Sequence, residues 1–140
     1  MREKVVRLTV IAILLMFTVT SCAGDGDGSV TLTFNQVPGD CATANQSTGA
    51  IQCDDSVLTF DGSVITSNPC YYLTAKLDFM NTSNIVIAIT AASALSGDTA
   101  SCVECVGEIA FSGELSPVGS CSKSVSIVYN GDTIPEYDHQ

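Results

Sequence analysis

The sequence predicts an all-β sandwich, and three observations carry that prediction. Short runs of alternating apolar and polar residues recur between Val30 and Tyr129, turn residues separate them at near-regular intervals, and no stretch keeps a helical period. Helix-rich and parallel α/β arrangements both need such helical stretches and are set aside.

The first strand runs from Ser29, with Val30, Leu32 and Phe34 on one side and Thr31, Thr33 and Asn35 on the other. Val37-Pro38-Gly39-Asp40 ends it, and residues 41–53 read as a small, polar loop between two cysteines. Residues 57–60 and 64–66 form two short strands around Asp61-Gly62, a dipeptide class favoured in tight hairpins. Residues 71–80 are the clearest strand, Tyr71, Leu73, Ala75, Leu77 and Phe79 alternating with Tyr72, Thr74, Lys76 and Asp78. After a polar turn at residues 81–84, the β-branched run 85–90 pairs back on it. Residues 91–101 are too rich in Ser, Gly and Thr for a helix. Residues 103–111 and 120–129 supply two more strands, and Asn130-Gly131 turns the chain into a short last segment.

The N-terminus carries a different signal. Arg2, Lys4 and Arg7 precede an apolar run over residues 8–19 that is broken only by Thr9 and Thr18, the layout of an export signal. About a dozen apolar residues fall short of the roughly 20 that a membrane-spanning helix needs. Val19-Thr20-Ser21-Cys22 resembles the lipobox of prokaryotic lipoproteins. The resemblance covers residues 1–22 and implies cleavage before Cys22, with a diacylglyceryl group on its sulfur. Two acyl chains hold a protein stably at a membrane, whereas one is marginal. The rival is an ordinary cleaved signal that leaves Cys22 as a spare thiol. The expected organisation is a signal over 1–21, a lipid-anchored tether over 22–28, one sandwich domain over 29–134 and a polar tail over 135–140. Asp25-Gly26-Asp27-Gly28 lacks the third acidic position and closing glutamate of a calcium loop, so it reads as flexible linker.

Removing residues 1–21 sharpens the charge. Three of the five basic residues leave with the signal, and Lys76 and Lys123 remain against 14 acidic residues, a net charge of −12. A nucleic-acid partner needs clustered Lys or Arg, and none is present.

Setting Cys22 aside leaves Cys41, Cys53, Cys70, Cys102, Cys105 and Cys121, an even number that reads as three disulfides in an exported domain. Extending the strand alternation puts Cys70 and Cys102 on polar faces and Cys105 and Cys121 among apolar sets. The expected pairing is therefore Cys41 with Cys53, Cys70 with Cys102 and Cys105 with Cys121. Cys102-Val103-Glu104-Cys105 also has the spacing of a redox dithiol. That chemistry needs a helix N-terminus to lower the thiol pKa, whereas this motif opens a strand and carries a glutamate. A four-sulfur zinc site ranks below both readings.

No cofactor, metal or catalytic residue is expected. The single histidine, His139, sits beside the C-terminus, away from any packing that could hold a triad. Asp54, Asp55, Asp61, Glu104, Glu108 and Glu114 read as solvated strand-face acids rather than a paired-carboxylate site. Asn45-Gln46-Ser47 and Asn81-Thr82-Ser83 are glycosylation sequons in expected loops. The mature part looks like the immunoglobulin-like modules of cell surfaces, although it has no Trp for the Cys-Trp-Cys hallmark. The resulting expectation is a monomeric, non-catalytic binding module outside the cytoplasm, held to the membrane by lipid on Cys22 and recognising an envelope protein or polymer. The alternatives are a scaffold without ligand and a thiol-disulfide oxidoreductase using Cys102 and Cys105.

Overall fold

A computed structural model describes the backbone of residues 17–20 and all of residues 29–95 and 101–135. Cys22, the tether, residues 96–100 and the tail beyond Pro135, with His139, lie outside the described residues. Every regular element among them is a strand: β1 Phe17–Thr20, β2 Thr31–Gln36, β3 Asp40–Cys41, β4 Thr48–Asp54, β5 Val57–Thr66, β6 Tyr71–Met80, β7 Asn84–Ser93, β8 Gly107–Ser116, β9 Ser124–Tyr129 and β10 Asp132–Thr133.

The strands form two sheets. One has the order β1-β2-β8-β5-β4, with β3 also on β8, and the other has the order β10-β9-β7-β6. Pairing is antiparallel except between β7 and β9, which run parallel. Parallel neighbours need a crossover, and here the chain crosses through the opposite sheet as β8 before returning as β9.

The alternation read from the sequence becomes the core. Leu32, Leu58, Phe60, Val64, Ile109, Phe111 and Leu115 from one sheet meet Leu73, Ala75, Ile85, Ile87, Ile89 and Ile127 from the other. Phe34, Phe60 and Phe111 cluster with ring centroids 5.9–6.4 Å apart. Glycines make room for them. Gly113 lies opposite both Phe34 and Phe60, and a Cβ there would collide with the Phe60 ring.

Three local expectations are corrected. Asp61-Gly62 is no turn: β5 runs unbroken through it, with Gly62 opposite Gly49 and Phe111. A Cβ at Gly62 would strike the Thr48 carbonyl, so this glycine serves close strand contact. The hairpin turn lies instead at Asp55 and Ser56, whose φ angles of 42° and 72° match a two-residue loop with both residues left-handed. The region between Cys41 and Cys53 is not all loop, because β4 occupies most of its second half. In β6 the register slips between Leu77 and Phe79, leaving Asp78 as the extra residue of a bulge. Phe79 consequently turns outward, and Met80 packs on the core. Asn130-Gly131 does turn the chain, with φ angles of 53° and 88° between β9 and β10.

All six expected cysteines are disulfide-bonded, but only Cys70–Cys102 pairs as expected. The others are Cys41–Cys105 and Cys53–Cys121, not Cys41–Cys53 and Cys105–Cys121. The parity argument failed because β8 starts at Gly107 and β9 at Ser124. Cys105 and Cys121 thus lie in connecting segments, where side chains do not alternate. Three disulfides are consistent with a location outside the cytoplasm.

Candidate binding end

The two ends of the sandwich differ. Thr31 pairs with Ser116 where β2 begins, so the near end also holds the β4–β5 turn, the β6–β7 turn and the β8–β9 connection. Val118 N–H donates to Ser56 O, Ser124 N–H donates to Ser83 O, and Cys53–Cys121 closes this end. The far end is built from the β2–β3, β5–β6 and β7–β8 connections, and it carries both other disulfides.

The sequence makes the far end rigid. Val37 N–H still donates to Ala110 O and Ala42 N–H donates to Val106 O, so residues 37–39 interrupt a strand along β8 rather than reverse it. Pro38 cannot donate to a ladder, and a Cβ on Gly39 would strike the Pro69 carbonyl of the β5–β6 connection. Gly107 lies as close to Asn68. Asn68 closes its own turn, its Oδ1 accepting from Cys70 N–H at 3.0 Å and its carbonyl from Thr66 Oγ1 at 2.6 Å. Gln36 reaches across to accept from Leu73 N–H, stitching the sheets together. Cys41–Cys105 and Cys70–Cys102, with Cα separations of 5.7 and 5.9 Å, then tie the β7–β8 connection to both neighbouring segments.

Three valines are left in water on this frame: Val37 is 60%, Val103 65% and Val106 54% exposed. Asp40, Glu104 and Glu108 share the end with them. Of the two lysines in the described domain, Lys76 sits midway along β6 in an ion pair with Asp78 at 2.8 Å, and Lys123 precedes β9 at the near end. The far end therefore carries three exposed valines and three acids, with neither of the two described lysines. Tyr72 and Phe79 are also exposed, but seven residues of strand at about 3.3 Å each hold them apart as single spots. A cleft of about 180 Å³ between β4 and β9, lined by Gly49, Ile51, Ile127 and Ile134 among others, is smaller than the roughly 300 Å³ at which ligand pockets begin.

Glu108 is held ionised where it faces Asp40 across the strand pair. Thr43 N–H and Oγ1 donate to its Oε2 at 3.2 and 3.4 Å, and the Ser63 hydroxyl and Ala44 N–H also favour the charged form. These donors keep its pKa below the ordinary 4.5 against a small desolvation effect. A depressed carboxylate stabilises the fold above its unfolded pKa and loses that contribution as pH falls through the folded value. Glu108→Gln is therefore expected to lower stability at neutral pH and to flatten the acid limb of a stability profile below about pH 4.5. An acid limb as steep in the variant as in the wild type would contradict this.

The remaining sequence candidates are spread out. Cys102 and Cys105 bond to different partners, not to each other. Glu114 faces Thr33 and Thr59, and Asp61 faces Ser112 and Ala50, so these two acids lie diagonally across β5 and β8 on the outer face of the first sheet, neither opposite another acid. No group of three metal-ligating side chains occurs among the described residues. Asn45 is exposed in the β3–β4 connection, where Ser47 Oγ accepts from Ile65 N–H at 3.0 Å. Asn81 is exposed at the β6–β7 turn, its Oδ1 accepting from Ser83 and Asn84 N–H at 2.8 and 2.7 Å. The apolar far end was not legible in the sequence, although the valines flanking Cys105 and the Val37-Pro38-Gly39 break marked its parts. What the fold and this end define is a disulfide-stapled β-sandwich with exposed valines on its far-end segments. No protein-family model, curated protein or solved structure matches the chain.

Proposed function

We propose that this chain is a lipid-anchored, non-catalytic binding module of the cell envelope, an immunoglobulin-like sandwich that presents its far end to a protein partner. Lipid on Cys22 and a short tether lead into β2 at the near end, which leaves the far end free to face away from the membrane. The observation that carries the reading is the exposed valine group on a doubly cross-linked frame. Apolar side chains held rigid bind without a large ordering cost, which favours recognition over simple bulk. Charge complementarity makes the matching partner an apolar contact with a basic rim.

Two experiments test this. Cys22→Ser is expected to move the chain from the membrane fraction to the soluble fraction, and retention on the membrane would sink the anchor. Val37→Asp with Val103→Asp should weaken capture of an envelope partner more than tenfold, since each buried valine contributes about 1.5–3 kcal/mol. The thermal midpoint should stay within a few degrees, because both side chains already face water. Equal capture by both proteins would favour an envelope scaffold without specific ligand.

A further inference from the structure

Four sheet edges bound this sandwich, and they are protected unequally. The β6 edge carries the Asp78 bulge and the Lys76–Asp78 pair, and Gln36 caps its Leu73 N–H. β10 is two residues long. At the β4 edge the C-terminal segment crosses over, and Gly49 N–H donates to Pro135 O. Bulges, charges, short strands and covering segments are the usual ways of preventing strand addition. β2, Thr-Leu-Thr-Phe-Asn-Gln, has no charge, proline or register shift. Among the described residues its outer edge is covered by β1 alone, in the register Phe17–Phe34, Thr18–Thr33, Val19–Leu32 and Thr20–Thr31.

β1 lies wholly before Cys22. We infer that the outer edge of β2 is a strand-acceptor site, filled by Phe17–Thr20 before processing and afterwards open to an extended, uncharged partner segment that alternates apolar residues with threonine. The inference rests on the cleavage before Cys22 proposed above. Its occupant follows from what already fits: four backbone pairs made by a Phe-Thr-Val-Thr sequence. Main-chain hydrogen bonds supply affinity in such strand addition, and alternate side chains supply selectivity. Charge decides against two rivals. An acidic strand would lie beside Thr33 and its neighbour Glu114, and a second copy would bring another net charge of −12. The core side chains and all three disulfides fall between Leu32 and Ile134, so the edge can open without dismantling the domain.

The test uses the full chain with a protease site introduced between Ser21 and Cys22. Amide hydrogen exchange along β2 is measured before the cut, after the cut and removal of the released segment, and after adding a peptide of residues 15–21. Exchange on the outer edge of β2 should accelerate at least tenfold after the cut. The peptide should restore protection saturably, with a Kd on the order of 0.1–1 mM. A control peptide with proline at both Thr18 and Val19 lacks the ladder donors and should restore none. Unchanged exchange after the cut, equal protection by both peptides or none by either, or concentration-dependent dimers that protect β2 unaided would each overturn the inference. Val37→Asp with Val103→Asp should leave peptide capture unchanged, which separates this edge from the far end. The mass of the processed chain reports separately on cleavage before Cys22.

Discussion

Phe60→Ala is expected to destabilise the domain by about 3–5 kcal/mol, a large part of the roughly 5–15 kcal/mol that holds such a domain together. Phe60 is only 2% exposed, and its ring packs against both Phe34 and Phe111, each centroid 6.4 Å away. Removing the ring forfeits its burial and leaves a cavity that neighbouring strands cannot fill, because β5 is hydrogen-bonded on both sides. Urea unfolding under oxidising conditions should show a lower midpoint with an unchanged slope. The same ring, together with the Thr33 carbonyl, explains Gly113. Gly113→Ala should cost about 1–3 kcal/mol in the wild type through overpacking, and less in Phe60→Ala, where the clash with the ring is gone but the Thr33 carbonyl, 2.7 Å from the added methyl, still resists it. A double-mutant cycle measures this coupling. Strict additivity would show that the Thr33 carbonyl, and not the ring, sets the need for glycine.

Replacing Cys53 and Cys121 together by serine is expected to cost about 4 kcal/mol by the chain-entropy relation, given their separation of 68 residues. Position makes this the most damaging of the three bridges. Cys41–Cys105 and Cys70–Cys102 both brace the far end, so losing one leaves the other. Cys53–Cys121 is the bridge that fastens the β8–β9 connection to β4 at the near end. The melting temperature should fall by roughly 15 °C, and by more than in a Cys70/Cys102 double serine variant. A smaller loss than in that variant would mean that the near end is held by packing around Val118 instead. Peptide mapping without reduction checks the connectivity directly: fragments joined through Cys53 and Cys121 are expected, and fragments joined through Cys41 and Cys53 would refute it.

The contrast between legible and illegible features follows from range. Tyr71 to Leu77 and Ile85 to Ile89 announced two strands and their pairing because alternation and a four-residue turn are local properties. Asn130-Gly131 announced its turn for the same reason, since left-handed backbone suits those two residues. Asp61-Gly62 misled because glycine has two uses, and sequence does not say which applies. There the missing side chain admits the Thr48 backbone and Phe111, a need created by strands far away in the chain. The Asp78 bulge was hidden likewise, since it exists only relative to β7.

The sequence by itself determined an all-β chain, the alternating residues of its core and an even set of cysteines once Cys22 is set aside, because each is written in composition or short-range period. Two of the three disulfide pairings, the parallel β7–β9 pair and the exposure of Val37, Val103 and Val106 emerge only once the chain is folded. Those depend on which segments become neighbours over long stretches of chain, 40 residues between the partners Asn84 and Ser124 and 64 between Cys41 and Cys105. Two-residue alternation fixes which way a side chain points, and leaves open what stands opposite it.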